Sequence, residues 1–77
     1  MEAIQEHDVV VLTITLADQG LEPGDLGTVV HCYGSGEGLE VEFTSGLGET
    51  VAVVTLNRSD VRVMRQGEIL HVRERVV

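Results

Sequence analysis

Short valine-rich runs separated by glycines are the feature that most constrains how this chain can fold. Nine glycines and one proline divide its 77 residues into brief apolar segments. Valine favours strands, because its branched side chain restricts χ1 and packs well on a pleated surface. Before the C-terminus, no window of about 11 residues shows the apolar spacing of a helix. The pattern therefore predicts an all-β fold.

Five strands are predicted from these runs. The third is the clearest, because Leu39, Val41 and Phe43 alternate with Glu40 and Glu42 and so occupy opposite faces. The first run is apolar on both faces, which is typical of a strand that is buried on two sides or that crosses a barrel. The predicted strands are residues 8–15, 27–33, 39–43, 50–56 and 61–64. The residues predicted to point inward are Val9, Val11, Val29, Leu39, Val41, Phe43, Val53, Leu56, Val61 and Val63.

Two connections carry recognisable turn chemistry. Pro23 and Gly24 fit the central positions of a type II turn, because proline presets φ and glycine accepts a positive φ. Residues 57–60 are polar and short, and they suit one 3₁₀ turn before the last strand. Five short strands with glycine turns and no long helix predict a small SH3-like barrel over about residues 8–64.

The C-terminal extension, residues 66–77, is ambiguous. As a strand it places Leu70, Val72 and Val76 on one face, with Arg73 and Arg75 on the other. A helix is the alternative, but the segment is short and valine-rich, which favours a sixth strand. We expect one domain of residues 1–77, near the lower size limit for independent stability. A possible homodimer through Leu70, Val72, Arg73, Arg75 and Val76 would bury additional apolar surface.

The charge is strongly acidic and unevenly distributed. The chain has thirteen acidic residues, five arginines and no lysine, which gives a formal net charge of −8. Residues 1–57 contain no basic residue except histidine, whereas phosphate binding needs clustered Lys or Arg. We therefore expect no nucleic-acid partner. A basic protein partner is compatible with the acidic part, although simple solubility explains the same charge.

Cysteine and histidine can catalyse reactions or bind metals, but here they lack the spacing that such sites need. Cys32 is alone and is interpreted as a packed thiol, in a strand where Thr28, Val30 and Cys32 share one face. His31 and Cys32 are adjacent and so point to opposite faces, which disfavours a shared metal ion. We expect no catalytic residue, metal or cofactor. The lone cysteine and an N-terminus without a signal-peptide pattern indicate a cytoplasmic protein without membrane attachment.

The most plausible binding residues are Tyr33, Glu40 and Glu42. The two glutamates lie two residues apart on one strand face, where they are either simply solvated or bind a basic partner. Tyr33 and Phe43 are the only aromatic residues, which is too few for a groove that binds proline-rich peptides.

Four stretches in order, residues 8–12, 20–30, 39–43 and 53–56, resemble a family of short bacterial proteins, domain of unknown function 4926. The resemblance spans roughly residues 8–64 and implies an SH3-like barrel, without implying an activity. Some members sit beside toxin-like genes, which implies an antitoxin or immunity role. The chain departs from the family pattern at residues 15–18, where a proline-containing segment is usual. Residues 24–29 also resemble KOW-type barrels, but the basic residues of RNA-binding relatives are missing.

These observations predict a non-catalytic protein-binding module, and the more specific expectation is a protein of the antitoxin or immunity type. The alternative is an accessory or structural subunit that docks onto a larger enzyme.

Overall fold

The computed structural model describes residues 3–34 and 36–74 and shows an all-β fold, as predicted. Five strands and two 3₁₀ turns follow one another, with boundaries close to those predicted from the glycines between the valine-rich runs. The strands are β1 (Val9–Leu12), β2 (Leu26–Tyr33), β3 (Gly38–Thr44), β4 (Thr50–Asn57) and β5 (Val61–Val63). The 3₁₀ turns are Ala17–Gln19 and Arg58–Asp60. The second is the turn predicted before the last strand.

The strands form one antiparallel sheet in the order β4-β3-β2-β1-β5. The edge strands β4 and β5 do not pair with each other in the described part of the chain, so hydrogen bonds do not close the predicted barrel. The SH3-like arrangement remains an expectation from the resemblance. The core lies on one side of the sheet and consists of Val10, Leu12, Leu21, Val29, Leu39, Val41, Phe43, Ala52, Leu56 and Val61.

Two predicted core residues, Val9 and Val53, are instead exposed, and the sheet register explains why. Val9 pairs with Thr28, Thr28 with Glu42, and Glu42 with Val53, which places all four in one row across the sheet. Directly paired residues share a face, and Glu42 faces solvent. The two valines therefore point outward with it. Val63 is half-buried, whereas the other seven predicted inward residues are buried.

From Val10 onward the first strand is buried on both faces, as its unbroken apolar run predicted. Val10 and Leu12 join the core, and Val11 is buried without belonging to that cluster. The regular strand ends at Leu12, three residues before the predicted end.

An irregularity in β2 changes which of its residues face the core. The pairing with β3 shifts between Val29 and His31, so that Val30 is an extra residue and is exposed. Cys32 consequently shares the inner face with Val29, not with Val30 and Thr28 as predicted. Cys32 is half-buried against the core, which agrees with the interpretation of a packed thiol.

Two glycines have distinct structural roles. Gly24 has φ +98°, and Asp25 N–H donates to the Glu22 carbonyl at 3.1 Å, which confirms the predicted type II turn. At Gly27 the requirement is space, because a Cβ there would lie 2.5 Å from Val41 Cγ1 and 2.9 Å from Phe43 Cε1. The Phe43 ring therefore packs directly over the backbone of β2.

The C-terminal segment does not form the predicted sixth strand within the described residues. Residues 64–74 have no regular secondary structure, and salt bridges attach the segment to the body at two points. Glu68 accepts hydrogen bonds from both Arg62 Nη atoms, at 2.7 and 2.5 Å. Side-chain contacts, not a backbone ladder, therefore position this segment. Arg75 and Val76 lie outside the described residues.

Candidate functional site

The three predicted binding residues lie together on the solvent side of β2, β3 and β4, which we call the outer face. Its residues come from two rows of cross-strand pairs and the end of β2: Thr28, His31, Tyr33, Glu40, Glu42, Val53 and Thr55. Strand alternation places Glu40 and Glu42 there, while Leu39, Val41 and Phe43 fill the core behind them.

Glu40 is held between the two neighbouring strands. The Tyr33 hydroxyl donates to its Oε2 at 3.0 Å, and the Thr55 hydroxyl donates to its Oε1 at 2.5 Å. The hydrogen bond from Thr55 lowers the pKa of Glu40 below its ordinary value, and the bond from Tyr33 lowers it further. The bond to Glu40 in turn raises the pKa of Tyr33. Glu40 is therefore an oriented carboxylate that stays charged at neutral pH.

Among the described residues, Glu42 is oriented by one hydroxyl. Thr50, at the start of β4, donates its hydroxyl to Glu42 Oε2 at 2.7 Å. Both glutamates are exposed enough to keep acceptor positions open to solvent, because a carboxylate has about four lone-pair sites. The outer face thus presents two fixed negative charges on successive outward positions of one strand.

Sequence reasoning missed His31 and Thr55 as members of this face. His31 pairs with Glu40 across the sheet, its ring contacts Tyr33 edge-on at 4.6 Å between centroids, and its Nδ1 lies 3.7 Å from Glu6 Oε2. The extra residue in β2 hid this alignment, because strict alternation over residues 27–33 gives a different register. The cross-strand position of Thr55 requires knowledge of the β3–β4 pairing.

The C-terminal segment borders the outer face on the β1 side. Residues 70–73 and the sheet residues Val9, Thr28 and Glu42 help to line a groove of about 510 Å³. Leu70 and Val72, predicted for self-association, are exposed, Val72 at 91%. The opposite side of the outer face ends at the edge strand β4.

Arg73, also predicted for self-association, contacts its own chain. Its Nε and Nη2 donate to the two Asp25 oxygens at 2.8 and 2.5 Å, and its Nη1 lies 2.9 Å from Glu22 Oε2. Nη2 also donates to the Gly20 carbonyl at 2.9 Å. The hydrogen bond from Arg73 lowers the pKa of Asp25, despite partial burial. Arg73 therefore joins the C-terminal segment to the loop between β1 and β2.

No group of three or more His, Cys, Asp or Glu side chains in residues 3–34 and 36–74 is arranged to hold a metal ion. His31 and Cys32 point to opposite faces, as adjacent strand positions require. In the same part of the chain, no helix has the length and apolarity needed to cross a membrane.

Comparison with known proteins identifies the family. No curated protein and no solved structure matches the chain significantly. The family profile described as Domain of unknown function (DUF4926) matches residues 6–63, a range that includes all five strands and both 3₁₀ turns. It ends before the segment that Arg62 and Arg73 attach to the sheet. The chain therefore belongs to the DUF4926 family.

Proposed function

We propose that this protein is a non-catalytic binding module that docks a basic protein partner on its outer face. The observation that carries the proposal is the orientation of Glu40 and Glu42 by hydroxyl donors on an exposed sheet surface. Carboxylates held in place lose less conformational freedom when a cation binds them, so more of the interaction energy is retained. Tyr33 adds an amphipathic ring of the type enriched at protein interfaces.

Electrostatics supports a basic partner. The chain has a formal net charge of −8, whereas Arg62 and Arg73 pair with carboxylates elsewhere on the chain. A surplus of negative charge speeds the encounter with a basic surface and disfavours acidic partners. The association should therefore weaken as ionic strength rises.

The more specific form of the proposal is an antitoxin or immunity-type protein, which neutralises a basic partner by covering it. The alternative is an accessory or structural subunit of a larger enzyme. The unpaired thiol of Cys32 supports a cytoplasmic location for either, because reducing compartments keep thiols free. A homodimer through the C-terminal segment remains a prediction, supported by the exposure of Leu70 and Val72.

The test is affinity capture from the native cell with three immobilised proteins: the wild type, the double variant Glu40→Gln/Glu42→Gln, and the control Asp18→Asn/Glu74→Gln. Both variants lose two negative charges, and the control changes exposed residues that do not belong to the outer face. We expect the wild type and the control to retain a basic protein that the Glu40/Glu42 variant loses. Equal capture by all three would refute the proposed face.

The identity of the captured protein separates the two forms. A partner that is toxic alone and harmless when co-produced with this chain supports the antitoxin form. A metabolic enzyme whose activity or assembly depends on this chain supports the accessory subunit.

A further inference from the structure

The outer edge of β4 is open to strand pairing. β4 is at one end of the sheet, is eight residues long, and pairs only with β3 in the described part of the chain. Its pairing with β3 is regular over residues 52–57, with a shift only near Thr44 and Thr50. An edge strand of this kind presents a row of backbone donors and acceptors that another strand can use.

Beyond the irregular pairing at its start, β4 lacks the usual protection of an edge. Residues 50–57 contain no charged residue and no proline, although the chain as a whole is highly charged. Natural edge strands commonly carry charges, prolines or bulges that prevent pairing with another chain. Val53, at the middle of β4, is 53% exposed on the outer face. An uncharged edge with an exposed central valine fits a strand that receives a partner.

The carboxylates of the outer face are tied to this same edge. Thr55 and Thr50, whose hydroxyls hold Glu40 and Glu42, both belong to β4. In the sheet register Glu40 lies opposite Thr55, and Glu42 lies opposite Val53. The two charges therefore lie one strand in from the open edge, behind short side chains.

We propose that β4 accepts an extended strand of a partner protein, and that two basic side chains two residues apart on that strand pair with Glu40 and Glu42. This inference rests on the proposed function and specifies the partner's form. Neighbouring strands lie about 4.8 Å apart, so the added strand would lie about 10 Å from β3. Arginine and glutamate side chains together cross that distance, because Thr50 and Thr55 hold the carboxylates on the β4 side of β3. The apolar arginine stems would then lie over β4 beside Val53, with the guanidinium groups at the carboxylates.

The spacing of two residues follows from strand geometry. Successive side chains of an extended strand alternate between faces, so only positions i and i+2 both reach the outer face opposite Thr55 and Val53. A second copy of this chain is a poorer occupant. Pairing β4 with β4 would leave Glu40 and Glu42 of both copies without cations, so the oriented carboxylates would gain nothing from it.

The experiment compares two peptides of about seven residues, a typical strand length, made of valine, threonine and two arginines. In one peptide the arginines are two residues apart, and in the other they are adjacent, so composition and charge are identical. Affinities are measured for the wild type, for Glu40→Gln/Glu42→Gln and for the control Asp18→Asn/Glu74→Gln. Amide hydrogen exchange is measured across β4.

We expect the wild type and the control to bind the spaced peptide ~1.5–5-fold more tightly than the adjacent one, because the spaced peptide places one more arginine on the outer face and so gains one exposed ion pair. The Glu40/Glu42 variant should lose this preference. Exchange of β4 amides should slow when the spaced peptide binds, because the edge then donates to a partner strand.

Equal affinity for the two peptides, still dependent on Glu40 and Glu42, would overturn the strand inference and leave the basic-partner proposal intact. Binding of both peptides unaffected by the Glu40/Glu42 variant would overturn the strand inference, because the two carboxylates would then contribute nothing to it. If the β4 amides already exchange slowly in the free protein and that protein sediments as a dimer, a second copy occupies the edge. This result would also overturn the inference. Absence of binding to either peptide would also overturn it, whereas the capture experiment judges the proposed function independently.

Discussion

The close approach of Phe43 to the backbone of β2 makes Gly27→Ala the sharpest test of the core. An added Cβ would lie 2.5 Å from Val41 Cγ1 and 2.9 Å from Phe43 Cε1, distances at which something must move. Both neighbours are buried in the core, so neither side chain can swing into solvent. Overpacking of a well-packed core costs about 1–3 kcal/mol, which we expect as the loss in the free energy of unfolding.

Urea unfolding measures this loss. For a small domain with an m value near 1 kcal/mol/M, the midpoint should fall by roughly 1–3 M. Gly46→Ala is the matched control, because nothing lies within 4 Å of a Cβ at Gly46 and its φ is not positive. That variant should remain within about 0.5 kcal/mol of the wild type, or gain slightly from a stiffer unfolded chain.

A double-mutant cycle shows whether the clash is the cause. Val41→Ala removes the closest contacting atom, and the new Cβ at Gly27 would then fill part of the space. The combined variant should be more stable than the sum of the single losses predicts, by about 1 kcal/mol or more. Additive losses, or a Gly27→Ala protein as stable as Gly46→Ala, would refute the packing argument.

Three further outcomes are expected. Phe43→Ala should lose about 3–5 kcal/mol, a large part of the about 4–12 kcal/mol of total stability expected at this length; a melting temperature within a few degrees of the wild type would contradict the packing of Phe43. Gly24→Val should lose more than about 1 kcal/mol in chemical unfolding and Gly24→Asn less, because φ is +98° there; equal losses would mean that φ is not the reason for the glycine. Hydrogen bonds from Arg62 lower the pKa of Glu68 from 4.5 to about 2, so its stabilising contribution is complete above pH 4.5 and is lost as pH falls toward about 2. Glu68→Gln should therefore flatten the stability–pH curve in that window relative to Glu74→Gln, and identical curves would refute the role of the pair.

The candidate site was only partly predictable. Alternation within β3 was enough to place Glu40 and Glu42 on one exposed face, because the side-chain period of a strand is two. Their hydroxyl donors could not be predicted in the same way. Thr55 is 15 residues from Glu40 in sequence and reaches it only through the β3–β4 register. The available charges were visible in the sequence, but their orientation was not.

Local chemistry by itself determined the five strands of the sheet, their approximate limits and the turn at Gly24, because valine-rich runs and a positive φ at glycine act over a few residues. Tertiary structure decided which valines are buried. Val9 and Val53 face solvent because lateral pairing aligns them with Glu42, and the extra residue Val30 reverses the faces of β2 beyond it. Pairing also leaves β4 as an open edge.

The C-terminal segment shows most clearly how tertiary contacts override a local sequence pattern. Its alternating valines and arginines carry the local pattern of a strand, yet the described part forms none. Arg73 instead donates hydrogen bonds to Asp25, which is 48 residues earlier in the chain. Asp25 comes near Arg73 only when the loop before β2 folds. The bidentate ion pair between Arg73 and the half-buried Asp25 depends on that long-range geometry, and no local periodicity predicts it.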